Sequence, residues 1–169
     1  MLIFSNPPTA AALTLKIQAN PVANHGVLEQ LLRLAKKKVR REFFMSGSLL
    51  RDVLVSDLLP GSRPLYLFHQ RSDMLLWVAA NVETINASRV LLLLIYEDRL
   101  KQAFSEYVSV LESAMNDPVE KMKVVSLDIA QSLLEAQPEC EDRLLSILIN
   151  KLGDPKAKVV QKSTKLLNE

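Results

Sequence analysis

The amino-acid sequence predicts an all-α fold, a HEAT/armadillo-like α-solenoid fragment made of antiparallel helical hairpins. Three observations predict it. Apolar residues recur at helical spacing along nearly the whole chain. Only four glycines and 5% aromatics stand in 169 residues rich in leucine, a balance that favours helices over a sheet sandwich. One stretch of the chain also repeats itself at a fixed offset of helical-pair length.

The elements follow in order. Leu28, Leu31, Leu32, Ala35 and Val39 mark one face of a first clear helix. Leu49, Leu50, Val53, Leu54 and Leu58 mark a second, which Pro60-Gly61 stops. Residues 61–73 read as a linker. Residues 74–90 are ambiguous, because Met74, Leu75, Leu76 and Trp77 want burial while the polar residues after them spoil the pattern. A long helix follows from about Leu91 to Met115, carrying Leu100, Phe104, Tyr107, Val108 and Leu111. The expected organisation is a helical hairpin region over 1–60, a linker or insertion over 61–90, and two HEAT-like repeats over 91–169.

The repeat is the most informative feature. Asp117-Pro118 and Asp154-Pro155 stand 154 − 117 = 37 positions apart, and the flanks agree at that shift. Tyr107, Val108, Val110 and Leu111 fall on Leu144, Leu145, Ile147 and Leu148; Met122, Ser126 and Ile129 fall on Val159, Ser163 and Leu166. Each unit reads as helix, tight turn, helix. The aspartate is expected at the N-cap, with proline at the first helical position, where its missing N–H costs nothing. Gly153 is expected to end the preceding helix in a left-handed conformation, with Asn116 in the same role one unit earlier. One such pair cannot hide its apolar faces alone, so it must stack on neighbours, and the chain reads as cut from a longer solenoid.

A search for chemistry is mostly negative. His25 and His69 lie far apart in loop-like contexts, outside any metal-ligand spacing. The chain has no glycine-rich phosphate loop and no nucleophile elbow. Glu97-Asp98 and Glu141-Asp142 are adjacent pairs, which a helix splays about 100° apart, so they read as solvated faces or helix-start acids. The expectation is a non-enzyme with no catalytic residue, metal, cofactor or small-molecule substrate. The single cysteine, Cys140, reads as a small helix residue, and lacking an internal disulfide partner it fits a reducing compartment. The longest apolar run, residues 90–95, is too short to span a bilayer, so no membrane role is expected.

Charge is uneven although the net is only +2. Arg33, Lys36, Lys37, Lys38, Arg40 and Arg41 face one acid, Glu42, within ten residues, while residues 97–142 hold eleven acids against four bases. The basic run is the best functional candidate, as an RNA phosphate stripe or a nuclear-import patch; a solvated helix face is the alternative. Lys158, Lys162 and Lys165 share a helix face and form a second candidate. No aromatics interleave with either patch, so contact should be to the nucleic-acid backbone. Exposure of the basic run on an open surface would favour RNA. Pairing with the acids of 97–142 would favour a protein-binding adaptor without a nucleic-acid role.

Three segments carry a family resemblance. Residues 28–60 read LEQLLRLAKKKVRREFFMSGSLLRDVLVSDLLP, a leucine-rich stretch followed by bases and an SDLLP ending. Residues 95–111 read IYEDRLKQAFSEYVSVL, and residues 144–167 read LLSILINKLGDPKAKVVQKSTKLL, of which NKLGDP is the most specific part. Together they resemble the CCAAT-binding-factor family of nucleolar ribosome-biogenesis proteins. Residues 78–90 depart from its pattern. The resemblance implies a nuclear and nucleolar helical scaffold for the large ribosomal subunit, with pre-ribosomal RNA and other nucleolar complex proteins as partners. It ranks a CCAAT-associated transcriptional role lower, and it supplies no catalytic residue to carry over.

Overall fold

The computed structural model describes residues 10–37, 39–136 and 139–168. Every regular element among them is helical: α1 (Ala10–Ala19), α2 (His25–Lys36), α3 (Arg40–Val53), α4 (Ser72–Ala80), α5 (Ile85–Ala114), α6 (Glu120–Ala136), α7 (Glu141–Asn150) and α8 (Ala157–Asn168). A π-turn, Leu54–Leu58, extends α3, and short 3₁₀ turns occupy Phe68–Gln70 and Lys151–Gly153.

The apolar spacing places the core. Leu28, Leu31, Leu32 and Ala35 of α2 are buried, as are Leu50 and Val53 of α3. Val39, expected on the same face as Leu28, is instead exposed and extended, because the chain leaves helix there to turn from α2 into α3. The basic run therefore straddles two helix ends and the turn between them.

Consecutive helices pair as α2 with α3, α5 with α6, and α7 with α8. The pairs also touch one another in series: α2 meets α5 and α5 meets α7, while α3 meets α6 and α6 meets α8. Phe104, Tyr107, Val108 and Leu111 of α5 are fully buried at the centre, with Leu127 and Leu133 of α6 and Leu144 and Leu148 of α7. α1 packs on α2 and α3 through Leu13 and Ile17.

The stretch read as ambiguous is helical. α4 packs on α5, and α5 starts at Ile85, six residues before the expected Leu91. Thr84 sets that start, its hydroxyl accepting the Ala87 N–H at 3.1 Å and donating to the Asn81 carbonyl at 2.9 Å. At 30 residues, α5 is about 45 Å long and overruns the body. Its first turns and α4 therefore form an arm on which Leu76, Trp77, Ile85, Leu92 and Leu93 are exposed.

Gly47 sits inside α3 with its carbonyl accepting the Tyr107 hydroxyl at 2.6 Å. A Cβ there would meet Ile129 Cδ1 at 3.6 Å and the Phe43 ring at 3.9 Å, ordinary contact distances. Glycine in a helix interior costs about 1 kcal/mol relative to alanine. Gly47→Ala is therefore expected to stabilise the fold by about that amount. Urea denaturation with an unchanged or lower midpoint would show that α3 and α6 cannot yield to a methyl group.

Candidate functional site

The basic run borders an open cleft of about 820 Å³ at the α2–α3 and α5–α6 turns, lined by Lys36, Lys37, Arg40, Glu106, Ser109 and Asp117. Its cations are matched by carboxylates. Lys36 of α2 pairs with Glu106 of α5. Arg40 Nε lies 3.3 Å from both carboxylate oxygens of Asp117. Lys37 pairs with Glu42 at 3.1 Å, and Arg33 reaches Glu29 at 3.9 Å. Arg41 is exposed, with no ion pair among the described residues, and Lys38 lies outside them. The second patch behaves alike: Lys158 pairs with Glu120 at 3.6 Å, Lys162 pairs with Asp128, and Lys165 is exposed. Lys36 and Arg40 thus meet acids of the 97–142 stretch, the arrangement that favours an adaptor.

The helix dipole explains part of this pattern. Arg33 and Lys36 stand in the last turn of α2, where a cation is favourable; Arg40 and Arg41 stand in the first turn of α3, where it is not. Glu42, in that same turn, and Asp117 supply the negative charge that offsets them.

Both aspartate-proline steps are corners between helices, but their chemistry differs from expectation. Asp117 Oδ1 accepts the Val119 N–H at 2.7 Å, and Asp154 Oδ1 accepts the Lys156 N–H at 3.0 Å. The helices begin three residues after each aspartate, at Glu120 and Ala157. The Val119 and Lys156 carbonyls accept the first helical bonds, from Met122 and Val160. The aspartates therefore close an Asx turn two residues before the capping residues Val119 and Lys156, and Pro118 and Pro155 lie before the first helical position. Gly153 and Asn116 are not left-handed. Gly153 instead closes a 3₁₀ turn, whose tightening satisfies carbonyls a left-handed residue would otherwise serve, and the Asn116 side-chain amide donates to the Glu112 carbonyl at 3.3 Å.

These corners also bond between units. Arg40 of α3 holds Asp117, and Lys123 of α6 holds Asp154 at 2.7 Å with Lys151 at 3.7 Å. The second helix of one pair thereby grips the corner of the next. Hydrogen bonds and these bases hold both carboxyls below the ordinary carboxylate range; at Asp117 the Val119 N–H is the main cause, while at Asp154 burial opposes the shift and Lys123 overcomes it.

Sequence reasoning missed a clasp. Glu139, almost fully buried, accepts the Leu65 N–H at 2.7 Å and Lys101 Nζ at 3.0 Å, while Lys101 donates to the Leu65 carbonyl at 2.7 Å. Cys140 beside it is not a helix residue: it adopts φ 53°, the left-handed conformation, before α7. Nothing in the spacing marks Cys140 for that role. Glu97 and Asp98 are not solvated faces either, since they accept the Tyr66 and Phe68 N–H groups at 3.0 and 2.8 Å and hold the loop before α4. His25 opens α2 with its ring edge-on to Tyr96, and His69 lies in the Phe68–Gln70 turn. Among the described residues no cluster of His, Cys, Asp and Glu could hold a metal ion, and no helix is long and apolar enough to cross a membrane.

No protein-family profile matches the chain. Curated proteins do. It is 35% identical over 158 residues to CCAAT/enhancer-binding protein zeta of Homo sapiens, covering 93% of this chain and 15% of that protein. Over almost its whole length the chain is similar to the CCAAT-binding-factor family. Family members of other kingdoms and phyla agree. Ribosome biogenesis protein NOC1 of Chaetomium thermophilum is 34% identical over 168 residues, 93% of this chain and 16% of that protein. Nucleolar complex protein 1 of Drosophila melanogaster is 30% identical over 164 residues, 95% and 14%. The chain thus spans about 15% of the length of the curated family members it matches. None of these three names is that of an enzyme.

Proposed function

We propose that this chain is part of a non-enzymatic, HEAT-like helical scaffold that acts in nucleolar assembly of the large ribosomal subunit. The observation that carries the reading is similarity over almost the whole chain to proteins named for ribosome biogenesis and the nucleolar complex. The serial contacts of three helical pairs support the solenoid, because such arrays build extended surfaces for macromolecules. Its partners are other nucleolar complex proteins and pre-ribosomal RNA, and it resides in the nucleolus. Affinity purification of the full-length protein tests this: pre-ribosomal particles should come with it. Recovery of chromatin-bound factors without ribosomal precursors would instead favour the transcriptional role in the name of CCAAT/enhancer-binding protein zeta.

A second reading, a protein-binding adaptor, is favoured by the ion pairs of Lys36 and Arg40. Any phosphate contact there must compete with Glu106 and Asp117. If RNA is bound at the cleft, Lys36→Glu with Lys37→Glu removes two contacts. The slope of log affinity against log salt should then fall by about 1.4, at about 0.7 per single-strand contact. An unchanged slope with a short single-stranded RNA probe removes RNA from the cleft and leaves the protein partners.

A further inference from the structure

We infer that the outer face of α7 is an interface for one more helical hairpin of the same repeat, supplied by the same polypeptide. Leu145, Ile149 and Leu152 lie at spacings of four and three and share a face, yet are 37%, 49% and 41% exposed. The repeat says what covers such a stripe. Shifted by 37 positions, Leu145 and Leu152 fall on Val108 and Met115, which are 0% and 2% exposed. Ile149 falls on Glu112, which Arg143 of α7 grips at 2.8 Å. The covered face of the α5–α6 pair thus has its counterpart bare on the α7–α8 pair, and α7 itself is the kind of element that covers it.

The differences between the two faces describe the occupant. Ile149 in place of Glu112 asks for an aliphatic side chain where α7 carries Arg143. Val160 in place of Lys123 asks for an uncharged residue where this corner carries Asp154. The covering hairpin is therefore amphipathic and more apolar at its contact than α7–α8. This deepens the solenoid reading and rests on it, but not on the nucleolar role.

Thiol labelling tests it. Leu145→Cys and Leu152→Cys are each made in a Cys140→Ser background and treated with a maleimide, the modified peptide being read by mass spectrometry. Asn150→Cys is the control, because Asn150 and its counterpart Ser113 are both exposed. In the 169-residue chain all three should label at comparable rates. In the polypeptide extended to the length of its relatives, Leu145→Cys and Leu152→Cys should label at least ~10-fold more slowly, as expected for side chains buried like Val108, while the control is unchanged. Equal rates at both lengths overturn the inference. So does protection of the short chain that grows with its concentration, which would assign the stripe to a second copy. Protection of the long chain that is lost when co-purifying proteins are stripped would assign it to another protein and also overturn it. Labelling reads out independently of pre-ribosomal particles, so failure of the nucleolar reading leaves this result interpretable.

Discussion

Replacing Tyr107 with alanine is expected to destabilise the chain by about 4 kcal/mol, the range for deleting a fully buried aromatic ring. For a protein of this size that lowers Tm by roughly 12 °C, at about 3 °C per kcal/mol. Two effects add. The ring is fully buried in the core and reaches from α5 to α3, and its loss leaves a cavity that the packed helices cannot close. The hydroxyl donates a second bond to the Gly47 carbonyl at 2.6 Å, and alanine removes it. Burial pushes the phenol far above its usual pKa, so it remains a donor throughout the accessible pH range. Tyr107→Phe separates the effects, because it keeps the ring and should cost only about 1 kcal/mol. Thermal melts of the two variants that coincide would show that the ring carries little of the stability.

Asp154→Ala is the second large effect, expected at about 2 kcal/mol, the scale of hydrogen bonds to a charged group. The side chain is 2% exposed, accepts from Lys123 and the Lys156 N–H, and pairs with Lys151 at 3.7 Å. Alanine strands Lys123, itself only 11% exposed, with its charge uncompensated. Asp154→Asn is the informative companion, since it keeps an acceptor for the Lys156 N–H and removes the charge. If the ion pair dominates, Asn should recover less than half of the loss in a urea melt; full recovery would assign the effect to the Asx turn alone. Because Asp154 is held below its ordinary carboxylate pKa, its contribution is present above that value and is lost as pH falls through the lowered one. The wild-type advantage over Asp154→Ala should accordingly shrink in acid, below the pH range where aspartate normally ionises.

Both positions were visible as sequence features, but for reasons that differ from what the fold does with them. Asp154 stands out by its repetition of Asp117, and local rules assign it to a helix cap. Its bond to Lys123 joins residues 31 apart, and no local rule reaches that far. The basic run shows the same limit from the other side. Six cations within ten residues look like a free charged surface, and the acids that neutralise Lys36 and Arg40 lie 70 and 77 residues away. Glu139, Lys101 and Leu65 carry no spacing signal at all, since their clasp exists only after α5 and α7 have docked.

By itself the sequence determined the helical class, the buried faces of α2 and of the second half of α5, the corners at both aspartate-proline steps, and the family resemblance. These depend on periodicity, on turn residues and on short runs of identity, all of which act within one or two helical turns. Only the tertiary structure decided which carboxylate meets which base, that α4 and the start of α5 form an arm with apolar residues exposed, and that Cys140 takes a left-handed conformation. Those outcomes depend on contacts between residues that the chain separates and packing brings together, where the energy of a side chain is set by neighbours that its own segment does not contain.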